Sequence, residues 1–260
     1  MATFFGEVLP VRSRAVDDEE EKDVPVERLY MEKQLGLQKC NLFVFSIGSN
    51  ASTFNEIYVL PQDAQLLTHV RGETIIEDNQ EEYMGLSYRK SSKLVGSLYR
   101  KGSVLFFICK ERIRPEQAFP LAKQLIDSIS SSCVLILCDY YFSEYKHNFT
   151  EILQIPFLRC LRTSKYNDKE VNFPLLRQPN TVSGLEAAIL TECEVKNIPA
   201  ELIVSYTDQC CLDVNCVKSF LKIFSIPHVR SNSLGPNPYA DRQLKELFVN
   251  RLNFSDTLYI

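Results

Sequence analysis

Three places in this 260-residue chain gather side chains whose types could do chemistry. Cys138-Asp139 with His147 offers a thiol, an orienting acid and a base, the set a thiol nucleophile needs. Those groups must meet in space, and closeness in sequence does not bring them together; a core thiol beside a loop histidine accounts for the same residues. Ser46-Ile47-Gly48-Ser49-Asn50 ends an apolar run in a small polar loop, where α/β folds tend to seat ligands, and a nucleoside-like metabolite would fit such a cleft. A plain turn is the stronger reading of those residues, because ligand placement at strand ends is a tendency of the fold and not a sequence signature. Cys210-Cys211 with Cys216 supplies thiols, but there are no paired Cys-x-x-Cys units and the imidazoles are limited to His69, His147 and His228, so no metal and no cofactor is expected. The nine glycines form neither a Walker loop nor a dinucleotide fingerprint, and no nucleophile elbow or zinc helix occurs. Phe106-Phe107 and Tyr140-Tyr141-Phe142 lack the interleaved basic residues that make an aromatic platform for bases.

The elements that would position these residues alternate between strand and helix, the mark of an α/β domain. Leu42–Ile47 is apolar on both faces and predicts a central strand; Leu94–Tyr99 and Val104–Cys109 flank Arg100-Lys101-Gly102-Ser103 and predict a hairpin, hence a mixed sheet. A short helix is expected near Tyr30–Leu37. Pro115 opens a second helix carrying Ala118, Leu121, Ala122, Leu125, Ile126 and Ile129, with a kink at Pro120 and a stop at Ser130–Ser132. Strand Cys133–Cys138 follows. Ser183 and Glu186 form a capping box ahead of a helix to about Lys196, Leu202–Tyr206 is a strand, and Asp213 caps a helix bearing Val217, Phe220, Leu221 and Phe224. After the connection from Pro227 to Pro238, Leu244, Leu247, Phe248 and Leu252 share one face of a last helix. The expected organisation is a flexible acidic arm over 1–29, a single α/β domain over 30–252 and a tail over 253–260.

Charge separates the arm from the body. Residues 1–29 hold eight acids against four bases, which accounts for the whole net charge of -4 and leaves the rest neutral. No Lys/Arg stripe suits a nucleic acid, and Val104–Cys109 and Cys133–Cys138, the longest apolar runs, are far short of a membrane span. No signal-peptide pattern opens the sequence, so a cytoplasmic protein is expected, with the nucleus also open to it, and the sequons at Asn50, Asn148 and Asn253 should stay bare. The odd count of nine cysteines precludes a complete disulfide framework.

The end of the chain is the most informative segment. A polar stretch, Asn253–Thr257, leads to Leu258, Tyr259 and Ile260 with its free carboxylate. A pocket could take the leucine, stack on the ring and pair a lysine with the terminal charge. A frayed terminus would carry the same residues, and a hydrophobic-Tyr-x ending arises by chance in about 2% of chains of this composition.

Leu258-Tyr259-Ile260 nevertheless matches the tail of the proteasome assembly chaperone 1 and 2 family, and the body agrees. The opening Phe4-Phe5-Gly6-Glu7-Val8 resembles that family, as do Pro156–Arg159 with Leu161 and Thr163, and Pro174–Leu176 with Gln178–Asn180. Leu185, Ala187-Ala188, Leu190, Cys193, Val195, Ile198–Ala200, Leu202, Tyr206–Asp208 and Leu212-Asp213 follow its pattern without a gap. The resemblance implies a three-layer sandwich similar to nucleoside phosphorylases, with a mixed central sheet flanked by helices. It further implies no catalysis, a heterodimer with proteasome assembly chaperone 2, and binding to the outer face of the ring of proteasome α-subunits during 20S core-particle assembly. Phe4 and Phe5 are the candidate second anchor on that ring.

Overall fold

The computed structural model describes residues 28–77, 88–146, 153–167, 173–208 and 212–256. Leu258, Tyr259 and Ile260 lie outside the described residues, as do Phe4 and Phe5 and His147.

Strand β1 (Arg28–Met31) comes first. A helix was expected near Tyr30, but the local period is two: Leu29 and Met31 turn toward the core while Tyr30 faces out. The sheet therefore begins at Arg28, two residues inside the expected arm. β2 (Gln38–Ile47) ends at Gly48, and helix α1 (Ser49–Phe54) starts at once, passing into a wider π-type turn over Asn55–Val59. β3 (Gln65–Glu77), β4 (Tyr88–Lys101) and β5 (Val104–Cys109) follow, with the β4–β5 turn made at Gly102, whose φ of 56° suits glycine. α2 (Pro115–Asp127) continues through Pro120. β6 (Ile129–Tyr141) takes in Ser130–Ser132, expected as a helix stop, because these serines pair with the start of β2. β7 (Phe157–Arg162), α3 (Gly184–Val195) and β8 (Ala200–Thr207) come next. α4 (Val214–Ser219) is capped by Asp213, which accepts from the Asn215 and Cys216 amides as its position predicts. α5 (Pro227–Ser231) and α6 (Ala240–Asp256) close the fold. A tail was expected from Asn253, but α6 runs to Asp256, there being no glycine or proline after Ala240 to stop it.

The eight strands form one mixed sheet in the order β1-β3-β4-β5-β2-β6-β8-β7. β5, β2, β6 and β8 are parallel, and the outer strands run antiparallel to their neighbours. Register fixes two opposite core faces. Phe107, Phe45, Ile136 and Leu202 stand side by side on one, under α2 and α3. Phe106, Val44 and Leu135 stand on the other, under Phe54 of α1, Val217 of α4 and Leu244 of α6. The three-layer sandwich expected from the sequence is thus present.

The two sheet edges are finished differently. β7 is sealed by its own chain: the Cys160 amide donates to the Pro174 carbonyl and the Leu176 amide to the Cys160 carbonyl. Beside it the buried Glu201 carboxylate is held by Arg162 at 2.8 Å and by the Tyr166 hydroxyl at 2.9 Å. At the other end, β1, β3 and β4 contribute Met31, Val70, Val95 and Leu98 to the core under α2, whereas the second helical layer packs over β5, β2, β6, β8 and β7.

Candidate functional site

In a sheet of this type the carboxyl ends of the parallel strands are the natural place for a ligand. Here β2 delivers Gly48 and β6 delivers Asp139 to that end. Gly48 has φ 98°, and a Cβ on it would lie 2.5 Å from Asp139 Oδ1, so the backbone passes directly against the carboxylate. The same Oδ1 accepts the Ala51 amide at 3.0 Å, which makes Asp139 the acceptor for the start of α1. Asn50 is fully buried, and its Oδ1 accepts the Asp213 amide at 2.9 Å, tying α1 to the cap of α4. Burial pushes the Asp139 carboxyl up to about 6, against the opposing pull of the Ala51 amide, Arg112 and Asn50. The segment Gly48–Asn50, read from the sequence as a plain turn with a ligand loop as the alternative, is a glycine turn and the first residues of a helix, with the Asp139 carboxylate against it. A glycan on the fully buried Asn50 would not fit this packing.

The thiol reading of Cys138-Asp139 fails on geometry. Successive strand residues face opposite ways: Cys138 belongs to the core under α2 and α3, and Asp139 points at α1. Desolvation holds the Cys138 thiol well above its usual range, which keeps it protonated and unreactive. The described cysteines are all buried, and Cys109, Cys193 and Cys216 are pushed up to about 12 by the same cause. Cys210 and Cys211 lie outside the described residues. Among the described residues no group of three His, Cys, Asp or Glu is placed to hold a metal, and no helix is long and apolar enough to cross a membrane.

A second depression at these strand ends, about 290 Å³, is bordered by Arg112, Arg114, Tyr140, Ser183 and Glu186. Arg112 donates to the Asp139 carbonyl at 3.2 Å and lies over the Tyr140 ring, 4.8 Å from its centroid. Tyr140 donates its hydroxyl to the Ser183 carbonyl at 2.8 Å and accepts the Ser183 amide at 3.0 Å. The expected capping box is replaced by this long-range contact, since the Ser183 side chain caps nothing. Glu186 is buried beneath it, and desolvation raises its carboxyl. Arg112 is thus engaged with carbonyl, ring and carboxylate partners inside the fold. The arrangement fastens α3 to β6 and presents no activated nucleophile.

Kinship with known proteins is the deciding observation. The family profile described as "PAC1: Proteasome assembly chaperone 4" matches residues 27–260. The chain belongs to the proteasome assembly chaperone 1 family. It is 33% identical to proteasome assembly chaperone 1 of Xenopus laevis and 34% identical to that of Xenopus tropicalis, in each case over 86% of this chain and 88% of the relative. In structure it resembles Pyrococcus furiosus PbaA, described as an archaeal homologue of proteasome-assembly chaperone, with TM-score 0.54 and 12% identity over 90% of this chain and 100% of that one. At that identity the likeness speaks for the fold. Family membership supports a role in proteasome assembly, and assembly chaperones of this kind are in general non-catalytic.

The residues expected to dock, Leu258, Tyr259 and Ile260, with Phe4 and Phe5 as a second anchor, lie outside the described residues, so the structure brings none of them to a site. Sequence reasoning missed Tyr140 and Asp139 as the ties between strand ends and helix starts. Both contacts span more than forty positions, and no local pattern marks them.

Proposed function

We propose that the chain is a non-enzymatic assembly chaperone of the 20S proteasome. It works as a heterodimer with proteasome assembly chaperone 2 and binds the outer face of the α-subunit ring through Leu258-Tyr259-Ile260. The observation that carries this reading is the hydrophobic-Tyr-x ending on a member of this family. Each group has separate work: the leucine fills an apolar pocket, the tyrosine ring stacks, and the carboxylate pairs with a lysine. Phe4 and Phe5 add a second contact on the ring, with the acidic stretch as tether. The setting is the cytoplasm and the nucleus.

Copurification from cells followed by identification of the recovered proteins tests the assignment. α-Type proteasome subunits and chaperone 2 are the expected companions. Recovery of neither would remove the reading.

A further inference from the structure

β6 ends between the two helical layers, and its last residues reach into both. Asp139 points to one side, where its carboxylate accepts the Ala51 amide at the start of α1. Tyr140 points to the other, where its hydroxyl holds the Ser183 carbonyl and amide ahead of α3 and also meets the Glu186 carboxyl. Both carboxyls are buried, Asp139 being 4% and Glu186 5% exposed. β2 lies between β5 and β6 in the sheet and is followed by Gly48, which has no side chain to stand in the way. Arg112, from the loop after β5, reaches past the end of β2 to β6. It donates to the Asp139 carbonyl at 3.2 Å and lays its guanidinium over the Tyr140 ring.

Charge does not balance in this cluster. Arg112 attracts both Asp139 and Glu186, and it also pairs at 3.3 Å with Glu144 near the surface. Arg114 borders the same cleft but is exposed. The other titratable groups facing the two carboxyls are Cys109 of β5, Cys138 and Tyr140 of β6 and Cys216 of α4. Burial keeps all four protonated through neutral pH. Two buried carboxylates thus share one guanidinium, and the charge on Asp139 penalises the charge on Glu186. Desolvation is the largest influence on both and favours the protonated form, taking Asp139 to about 6. A proton bound at either carboxyl therefore relieves the other, although the two serve opposite faces of the sheet.

We propose that Asp139, Glu186, Arg112 and Tyr140 form a proton-linked clasp: proton uptake by the carboxyl pair on mild acidification tightens the starts of α1 and α3 onto β6 together, and proton release loosens both. The folded protein binds this proton more tightly than the unfolded chain does, so the clasp is firmest in acid and weakens as pH rises through about 6. Each helix start responds to the carboxyl on the far side of the sheet, and Arg112 is the link between them.

Hydrogen exchange of the full chain, followed residue by residue by NMR from pH 5 to pH 7, tests this. After correction for intrinsic exchange, the opening constants of the Ala51 amide in α1 and the Ser183 amide ahead of α3 should both rise about tenfold across that range. The Lys196 amide, at the other end of α3, should keep one opening constant throughout. Glu186→Gln removes one carboxyl of the pair at nearly constant size and should cut the rise at Ala51, on the opposite face, to about threefold or less. Asp139→Asn should do the same at Ser183. A pH-independent opening constant at Ala51 or Ser183 in the wild-type chain would overturn the clasp, whatever the variants do. A Glu186→Gln protein whose Ala51 amide keeps the full rise would show two independent carboxyls and overturn the link across the sheet.

Discussion

The two halves of the sheet differ in how completely the chain encloses them. From β5 to β7 every strand is covered on both faces, its one free edge is closed by residues 174–176, and the buried carboxylates of Glu201 and Asp139 have hydrogen-bond partners in place. From β1 to β4 the same sheet carries one helical layer and leaves large apolar side chains in solvent. Such incompleteness persists in a stable protein when another molecule finishes the layer, because exposed apolar area otherwise drives association. The comparison places the folding core in the enclosed half.

Substitutions in the enclosed half should therefore dominate folding. Phe45 is fully buried, its ring centroid 3.9 Å from that of Phe43 and 5.8 Å from that of Phe107, and Phe45→Ala should cost about 3–5 kcal/mol in urea unfolding. A loss below about 1 kcal/mol would mean that the enclosed half is not the folding core. Gly48→Ala comes next: the positive φ and the Asp139 carboxylate in the path of a Cβ should together cost about 3 kcal/mol. The structure would be refuted at this turn by an alanine variant of wild-type stability.

Acidity gives a smaller and more specific effect. The folded pKa of Asp139, about 6, lies above the usual value for an unfolded aspartate, so between those values the folded state holds the extra proton. Stability from this group is thus greatest at the acid end of the window and declines as pH rises through 6, by about 1 kcal/mol between pH 5 and pH 7. Asp139→Asn keeps an acceptor for the Ala51 amide and should flatten that slope. Parallel slopes in the two proteins would show that the carboxyl titrates normally. The smallest effect belongs to the open half, where Leu94→Ser should change unfolding stability by less than about 0.5 kcal/mol. A loss as large as that of Phe45→Ala would erase the distinction between the halves.

What the sequence disclosed follows the same division. Leu42–Ile47, Val104–Cys109 and Cys133–Cys138 announced the central strands because apolar runs of that length have nowhere to go but a covered sheet, and Asp213 announced its helix because capping is local. β1 was missed because four residues are too few to show a period against a neighbouring polar stretch. The bare face was missed for a tertiary reason. Leu94 in a strand reads the same whether or not a helix lies above it, and the layer on that side of the sheet is built from residues 49–59 and 214–248, all distant in sequence. Leu258-Tyr259-Ile260 stood out as an apolar, aromatic and charged ending, but three residues carry no periodicity, and only the family resemblance gave that ending a partner.

The proposed function has the α/β body bring Leu258-Tyr259-Ile260 to a proteasome ring. The most direct test measures binding of the full chain to α-ring particles with the partner's tail removed, so that a second anchor does not mask the loss. Deleting residues 258–260 should weaken binding by at least tenfold without changing the melting temperature, and Tyr259→Ala, which removes a buried ring worth about 2 kcal/mol or more, should reproduce most of that loss. Unchanged binding after the deletion would contradict the claim.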